Sequence, residues 1–366
     1  MTAPRHPPRF EARIHTLPMS APDDVSALAA LLDTGAVDPR EVVALIAQTE
    51  GDGHARGFCA LSLRLFFARR LSLDEQAVRE RIPMLMIGGT AGLMCPHVTL
   101  FVRRPAGAVP GGPPRLAIGV ARTRDLRPEE LGTLAQTRLV AEAVRAAIAD
   151  AGLDDPDSVA CVQMKCPQSA QSPDSPARSR GASALGAALA LGEVTDEALT
   201  EAAIGHDTGL FTERGSASSG QEQTAVQVVV LGNVAGAPGP FRAGRGVMAH
   251  ALDLAGAQAA FRDAGLTLQD GMVVPAERKR VAAVFVNAGA DALPDCLGRR
   301  HTLHTDLLAA YPGHLAKAVA HATVAAIAQD TLLLASAGAE HQGRPGSNLL
   351  SVVARQPDPS VPESPT

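Results

Sequence analysis

Two stretches lying 113 positions apart decide the reading: LVAEAVRAAIADAGL (Leu139–Leu153) and ALDLAGAQAAFRDAGL (Ala251–Leu266). Each places apolar residues at spacings of three and four, the signature of a helix with one buried face. Each closes on the same Asp-Ala-Gly-Leu. The chain that follows also matches. After the first comes an apolar strand, Ser158–Met164, with Lys165 at its end, then a small-residue helix at Gly181–Gly192. A Gly/Ser turn (Gly215–Gly220) and a strand (Gln223–Gly232) complete that unit. After the second comes a strand, Val281–Val286, with Asn287 where Lys165 stood. The helix Leu315–Ala328, the strand TLLLAS and the turn Ser336–Glu340 follow. Upstream, a helix at Val25–Val37, the strand EVVALIA ending before Gln48, a helix at Leu61–Leu71 and MLMIGGTAG (Met84–Gly92) give a third copy of the pattern. Three units are therefore expected, at 1–104, 115–240 and 246–356. The predicted fold class is α/β, with three structurally similar repeats of mixed or antiparallel sheet arranged with pseudo-threefold symmetry. Matching turns would then converge on one central active site with three similar walls.

The punctuation agrees. RRPAGAVPGGPP (Arg103–Pro114) reads as the clearest linker, with further loops at Cys166–Ser179 and Gly232–Gly244. The Pro-rich ends, 1–20 and 356–366, read as frayed. The 366 residues carry a net charge of -5, which argues against a nucleic-acid partner. Trp is absent and Tyr occurs once, so a stacking platform for bases or sugars would lack rings. Five widely spaced cysteines suggest neither a disulfide scaffold nor a zinc site. No apolar run is long enough to span a bilayer, and the N-terminus lacks a secretory pattern. A cytoplasmic protein with no membrane partner is the expectation.

Dinucleotide, P-loop, zincin and penicillin-recognising signatures are all missing. The strongest local feature is Lys165 in VQMKCP. Lysine is scarce here: Lys165, Lys279 and Lys317 are the only three. A lysine at a buried strand end loses affinity for its proton and can act as a base toward a hydroxyl. The plain alternative is a surface lysine. The candidate hydroxyl is Ser218 in ASSG, with small neighbours and Ser219 beside it; a helix cap or Ser-rich loop is the plain alternative. Ser336 occupies the matching position in the last unit and Ile87 in the first. Arg180, at the start of the small-residue helix, could fork onto the carbonyls of a planar ring, or be a solvated arginine. Lys317 lies on the corresponding helix of the last unit, and Lys279 sits in a charged cluster, Glu277–Arg280. His54, His206, His301 and His341 have no metal-type spacing and read as structural.

Seven stretches carry a family resemblance: QTEGDG (Gln48–Gly53), IGGTAG (Ile87–Gly92), VQMKCP (Val162–Pro167), SRGASALGAALALGE (Ser179–Glu193), ERGSASSGQE (Glu213–Glu222), GRRHT (Gly298–Thr302) and SAGAEHQG (Ser336–Gly343). In this order they resemble the ring-opening amidohydrolases, the family of cyanuric acid hydrolase and barbiturase. The resemblance implies three repeats around a central site, each normally bringing a Lys–Ser pair and an Arg. It implies Ser218 as nucleophile and Lys165 as its base. It implies substrate contacts from Arg180, Ser219, Ser336 and Lys317, and from the main chain of Gly88, Gly89 and Ala337. No cofactor is needed for catalysis. A structural divalent cation, Mg or Ca, is implied near the last Gly-rich loop, with Glu340, Ala339, Gln342, Gly343 and Asp291 as candidate ligands; Ser347 stands where that loop usually has Gly. A homo-oligomer, a tetramer, is implied as well.

The departures from the family pattern are specific. Gln48 and Asn287 stand at two lysine positions, Ile87 at one serine and Lys317 at one arginine. RGFCA (Arg56–Ala60) replaces the run carrying the first unit's arginine, so Arg64 is the expected substitute. Gln48 and Asn287 remain candidate ring contacts. Cyanuric acid is threefold symmetric, and an apolar wall at Ile87 would leave one carbonyl unpaired. The expectation is therefore ring-opening hydrolysis of a cyclic amide or imide other than cyanuric acid. Authentic cyanuric acid or barbiturate hydrolysis is the first alternative, and a non-catalytic heterocycle-binding protein the second.

Overall fold

A computed structural model describes residues 10–51, 53–169, 174–306, 312–337 and 340–357. Three four-stranded sheets dominate it. The first contains β1 (Phe10–Pro18), β2 (Val42–Gln48), β3 (Met84–Ile87) and β4 (His97–Pro105). The second contains β5 (Pro114–Arg122), β6 (Val159–Pro167), β7 (Gly215–Gly220) and β8 (Gln227–Ala235). The third contains β9 (Phe241–Met248), β10 (Val281–Ala288), β11 (Leu334–Ala337) and β12 (Asn348–Arg355). The spatial orders are β1-β4-β2-β3, β5-β8-β6-β7 and β9-β12-β10-β11: one topology, three times. In each sheet the second and third strands run parallel and the other pairings are antiparallel. A register shift falls at the start of the second strand every time, at Val42/Ala44, Val159/Cys161 and Val281/Ala283.

The parallel pairs require crossovers, and helices supply them. Helices α1 (Ser26–Asp33), α2 (Gly53–Leu71) and α3 (Glu75–Arg81) cover the outer face of the first sheet. Helices α4 (Leu134–Asp150) and α5 (Ser175–Ala190) cover the second; α6 (Leu254–Asp263) and α7 (Pro312–Ala328) cover the third. The inner faces meet each other. Ile14, Ala44, Ile46 and Phe101 of the first sheet pack with Ile118, Cys161 and Val229 of the second and Ala283, Phe285 and Val353 of the third. Phe101 and Phe285 stack with ring centroids 6.2 Å apart. Three sheets thus share one central core, while each sheet has a private core beneath its helices.

Several boundaries differ from the sequence expectation, each for a local reason. Helix α4 starts at Leu134 because Thr133 accepts the Ala135 N–H at 3.2 Å, a side-chain cap. Helix α6 is shorter than the periodicity predicts: the Asp253 carboxylate accepts the Gly256 N–H at 2.9 Å and caps it there. The stretch 10–18, expected to fray, is an edge strand bonded along its length to β4. GSASSG is no turn. It is β7, fully buried, and its small residues let α5 lie close: a Cβ at Gly215 would fall 2.9 Å from the Ala187 methyl.

Candidate active site

The parallel pairs put three equivalent stations at their carboxyl ends. Lys165 on β6 lies opposite Ser218 on β7; Gln48 on β2 lies opposite Ile87 on β3; Asn287 on β10 lies opposite Ser336 on β11. Strand ends of this kind are where open α/β sheets gather ligands. A cavity of about 180 Å³ opens there. Its walls come from all three repeats: Arg56, Ile87 and Gly88 from the first, Lys165, Gln168, Arg180, Ser218 and Ser219 from the second, His314, Lys317 and Ala337 from the third.

The second repeat carries the reactive groups. The Ser218 side-chain oxygen is buried with no hydrogen-bond partner among the described residues. Lys165 is 1% exposed. Burial pushes its ammonium down to about 8, against the pull of Glu222, whose carboxylate lies 3.5 Å from Nζ. Both Glu222 oxygens are buried and otherwise unpartnered. Ser219 donates to Gln168 Oε1 at 2.8 Å. Arg180 is clamped by Glu340, Nε to Oε2 at 2.8 Å and Nη2 to Oε1 at 2.6 Å, and its remaining Nη1 points at Ser219 Oγ at 3.5 Å. The helix that carries Arg180 is anchored from below. Gln136 Nε2 donates to the hydroxyls of Ser179 and Ser183, and Ser179 Oγ donates to the Pro167 carbonyl at 2.6 Å, tying α4 and α5 to the end of β6.

From the third repeat, Lys317 is 2% exposed and donates to the Gly88 carbonyl at 2.7 Å. Burial pushes it down to about 7, helped by the nearby cations Arg56 and Lys165. Gly89 leaves room for the His314 imidazole, which a side chain at that position would overlap.

Other expected site residues are placed elsewhere. Gln48 Nε2 donates to the Ile87 carbonyl at 3.1 Å, and its Oε1 accepts the Ala335 N–H at 2.9 Å. It is a cross-tie between the first and third sheets. Asn287 Oδ1 accepts from Ser336 Oγ at 2.8 Å and Gln163 Nε2 at 3.4 Å, and Ser336 Oγ lies 3.4 Å from Ser216 Oγ. That buried network joins the second and third sheets. Neither Gln48, Asn287 nor Ser336 lines the cavity. Arg64, the expected arginine substitute, pairs with Glu75 at 2.6 Å. Arg56, two turns earlier on α2, lines the cavity instead.

The residues expected to hold a divalent cation lie around the Arg180–Glu340 pair and the start of the last loop. Glu340 commits both oxygens to Arg180. Asp291 keeps one buried, unpaired oxygen, and burial pushes its carboxyl up. Gln342 Nε2 donates to the Ala217 carbonyl and Gly343 N–H to the Thr212 carbonyl. Ala339 lies outside the described residues. His341 is structural: Nε2 accepts the Gly205 N–H at 2.7 Å and Nδ1 faces the Leu210 carbonyl at 2.6 Å.

Sequence reasoning missed Arg56, Gln168, Glu222 and His314. Arg56 and Glu222 lay inside quoted stretches, RGFCA and ERGSASSGQE, where arginine and glutamate have no distinctive spacing. Arg56 is singled out by lining the cavity and Glu222 by its place against Lys165.

Comparison with known proteins decides the family. The model of the amidohydrolase ring-opening protein family matches residues 13–355. The chain belongs to the ring-opening amidohydrolases. A cyclic amide hydrolase of Azorhizobium caulinodans is 41% identical over 93% of this chain and 99% of its own length. A cyanuric acid amidohydrolase of a Methylobacterium species is 41% identical over 94% of this chain and 97% of its own. A solved cyanuric acid hydrolase superposes with a TM-score of 0.88 at 33% identity, covering 95% of this chain and all of that one. The crystal structure of the A. caulinodans cyanuric acid hydrolase gives 0.84 at 36% identity, over 95% and 99%. This member of the ring-opening amidohydrolases is a hydrolase of a cyclic C–N bond.

These relatives overturn the expectation of a ring other than cyanuric acid: cyanuric acid amidohydrolases recur among them at 36–41% identity. The structure supplies the physical reason. Ile87 does line the cavity, but Arg56 and Gly88 of the same repeat line it too, so that wall is not purely apolar and a ring carbonyl facing it has a donor within the same repeat. Among the described residues, no helix is long and apolar enough to cross a membrane.

Proposed function

We propose that the protein opens cyanuric acid by hydrolysing one ring C–N bond, with Ser218 as nucleophile and Lys165 as its base. The observation that carries this reading is the Lys165/Ser218 station: a buried lysine and an unpartnered hydroxyl in register at one wall of a small cavity. Neutral Lys165 takes the Ser218 proton as Oγ attacks a ring carbonyl. Negative charge develops on the carbonyl oxygen in a cavity lined by Arg56, Arg180 and Lys317, which stabilise it. As the tetrahedral centre collapses, the C–N bond breaks and the ring nitrogen takes the proton from the Lys165 ammonium. Water, deprotonated by the same lysine, cleaves the acyl-serine and leaves a linear product with a terminal carboxylate.

Arg180, Ser219, Lys317 and Arg56, with the main chain of Gly88 and Ala337, are the groups placed to hold the ring. Four cationic side chains against the carboxylates of Glu222 and Glu340 suit a flat ring edged with carbonyls and acidic N–H groups. The cavity is well below the roughly 300–1,000 Å³ of drug-sized sites, room for a single small ring. The finer placement as a cytoplasmic homotetramer rests on the family resemblance. An apolar hollow on the third repeat, flanked by exposed Leu252, Leu293, Leu297 and Val319, supports association of copies.

The test is incubation with cyanuric acid and, in parallel, barbituric acid, with products read by mass spectrometry. Loss of cyanuric acid is expected, with a product heavier by one water or that product less CO2, because the acid released is a carbamate. The log of kcat/KM should rise with pH and level off near the Lys165 value of about 8, because only the deprotonated amine is a base. Cyanuric acid left intact, or a profile flat across that range, would refute the assignment.

A further inference from the structure

Glu222 has no part in the chemistry above, yet its placement is unusual. Its side chain is 6% exposed, both oxygens are buried, and among the described residues the Lys165 ammonium, at 3.5 Å, is its one ion-pair partner. An isolated buried carboxylate is costly, so a chain that keeps one has a cation to hold. The fold makes specific room for it. The carboxylate bends back over Gly220 so closely that a Cβ there would overlap both oxygens. Gly220 sits two residues beyond Ser218 on the same strand. The turn that follows the nucleophile therefore returns an acid to the back of the base.

We infer that Glu222 is the positioning residue of a Ser218–Lys165–Glu222 relay, orienting the lysine toward the serine and stabilising the ammonium that forms when the serine proton is taken. The inference rests on Lys165 acting as base. Its logic is that of any nucleophile–base–orienter set, in which the third group holds the base and stabilises its charged form. The other charged groups around the pair act in the opposite sense or at longer reach. Arg56 from α2 and Lys317 from α7 disfavour a charged Lys165, while Cys166 on its own strand favours it weakly. Arg64 from α2 faces Glu222 but is engaged by Glu75. Arg180 across the cavity is engaged by Glu340. Glu222 is thus the anion that offsets the neighbouring charges of Arg56 and Lys317 at the base.

The chain's lysine content allows a direct test. With only three lysines, protein labelled with carbon-13 at lysine Cε gives three signals, and Lys279→Arg and Lys317→Arg assign that of Lys165. Glu222→Gln should lower the Lys165 titration midpoint by about one pH unit or more, since an attractive anion has gone. The same variant should lose about 100-fold or more in kcat on cyanuric acid with KM changed little. The rising limb of its pH profile should move to lower pH, in step with the lysine. Glu222→Asp, a shorter acid, should recover part of both effects, and it remains informative should the glutamine variant fold poorly. A Lys165 midpoint unmoved in both variants overturns the inference, whatever the turnover. A midpoint that moves in a protein that leaves cyanuric acid intact supports the pair and refutes the substrate assignment instead.

Discussion

The second and first repeats set the same backbone to different work. Lys165 and Gln48 occupy one position in one topology, each opposite the end of a short parallel strand, each following a register shift at the start of its own strand. Lys165 has a buried charge, a carboxylate behind it and an unpartnered hydroxyl beside it. Gln48 has two main-chain hydrogen bonds and an isoleucine beside it. The scaffold therefore fixes where a side chain stands, and the groups around it decide whether that place reacts or only binds sheets together.

The largest expected effect separates the two stations. Ser218→Ala should cut kcat by about a thousandfold or more while leaving the melting temperature within a few degrees of the parent, measured by product formation and thermal denaturation. Turnover near the parental rate in that variant would erase the distinction between the repeats. The reverse pattern is expected at Gln48. Gln48→Ala strands the Ala335 N–H and leaves the Ile87 carbonyl with the Thr49 N–H as its donor, so urea unfolding should show a loss of about 1–3 kcal/mol. A Gln48→Ala protein as stable as the parent but kinetically crippled would show that this amide serves the ring instead. The smallest effect sharpens the comparison at the neighbouring wall. Ile87→Ser supplies a hydroxyl where the first repeat is apolar, and one new hydrogen bond to the ring should lower KM by about two- to tenfold. An unchanged or raised KM would mean that the ring does not press on that wall.

Much of this architecture was legible from periodicity. The helical spacing of Leu139–Leu153 and the recurrence of its ending in Ala251–Leu266 were enough to place repeats, because burying one helix face leaves a pattern that survives divergence. The equivalence of Lys165, Gln48 and Asn287 was legible too, since each ends an apolar strand. GSASSG was misread as a turn because its residues have low strand propensity. What makes it β7 is the close approach of α5, a tertiary fact with no local signature. The site divides along the same line. Lys165, Ser218 and Arg180 sit in distinctive stretches. Arg56 and His314 reach the cavity, and Glu222 reaches Lys165, from loops and helix ends whose direction no periodicity predicts. Arg64 was the wrong arginine for that reason: it lies further along α2, turned to Glu75.

The shared inner core has a consequence for how the chain could be cut. The sheets close on one another around Phe101 and Phe285, and β1 of the first repeat reaches β10 of the third through a hydrogen bond from Thr16 Oγ1 to the Ala282 carbonyl at 2.7 Å. The assembly is a ring sealed at that seam by packing and hydrogen bonds, while short connections, 106–113 and 236–240, seal the other two. Which seam is left without a peptide bond is then an accident of where synthesis begins. A circular permutant opened at 106–113, with its old ends bridged by a flexible tether, should refold to the same three-sheet ring. A single repeat expressed alone should not, because the inner face of its sheet would meet water where the other two sheets now pack.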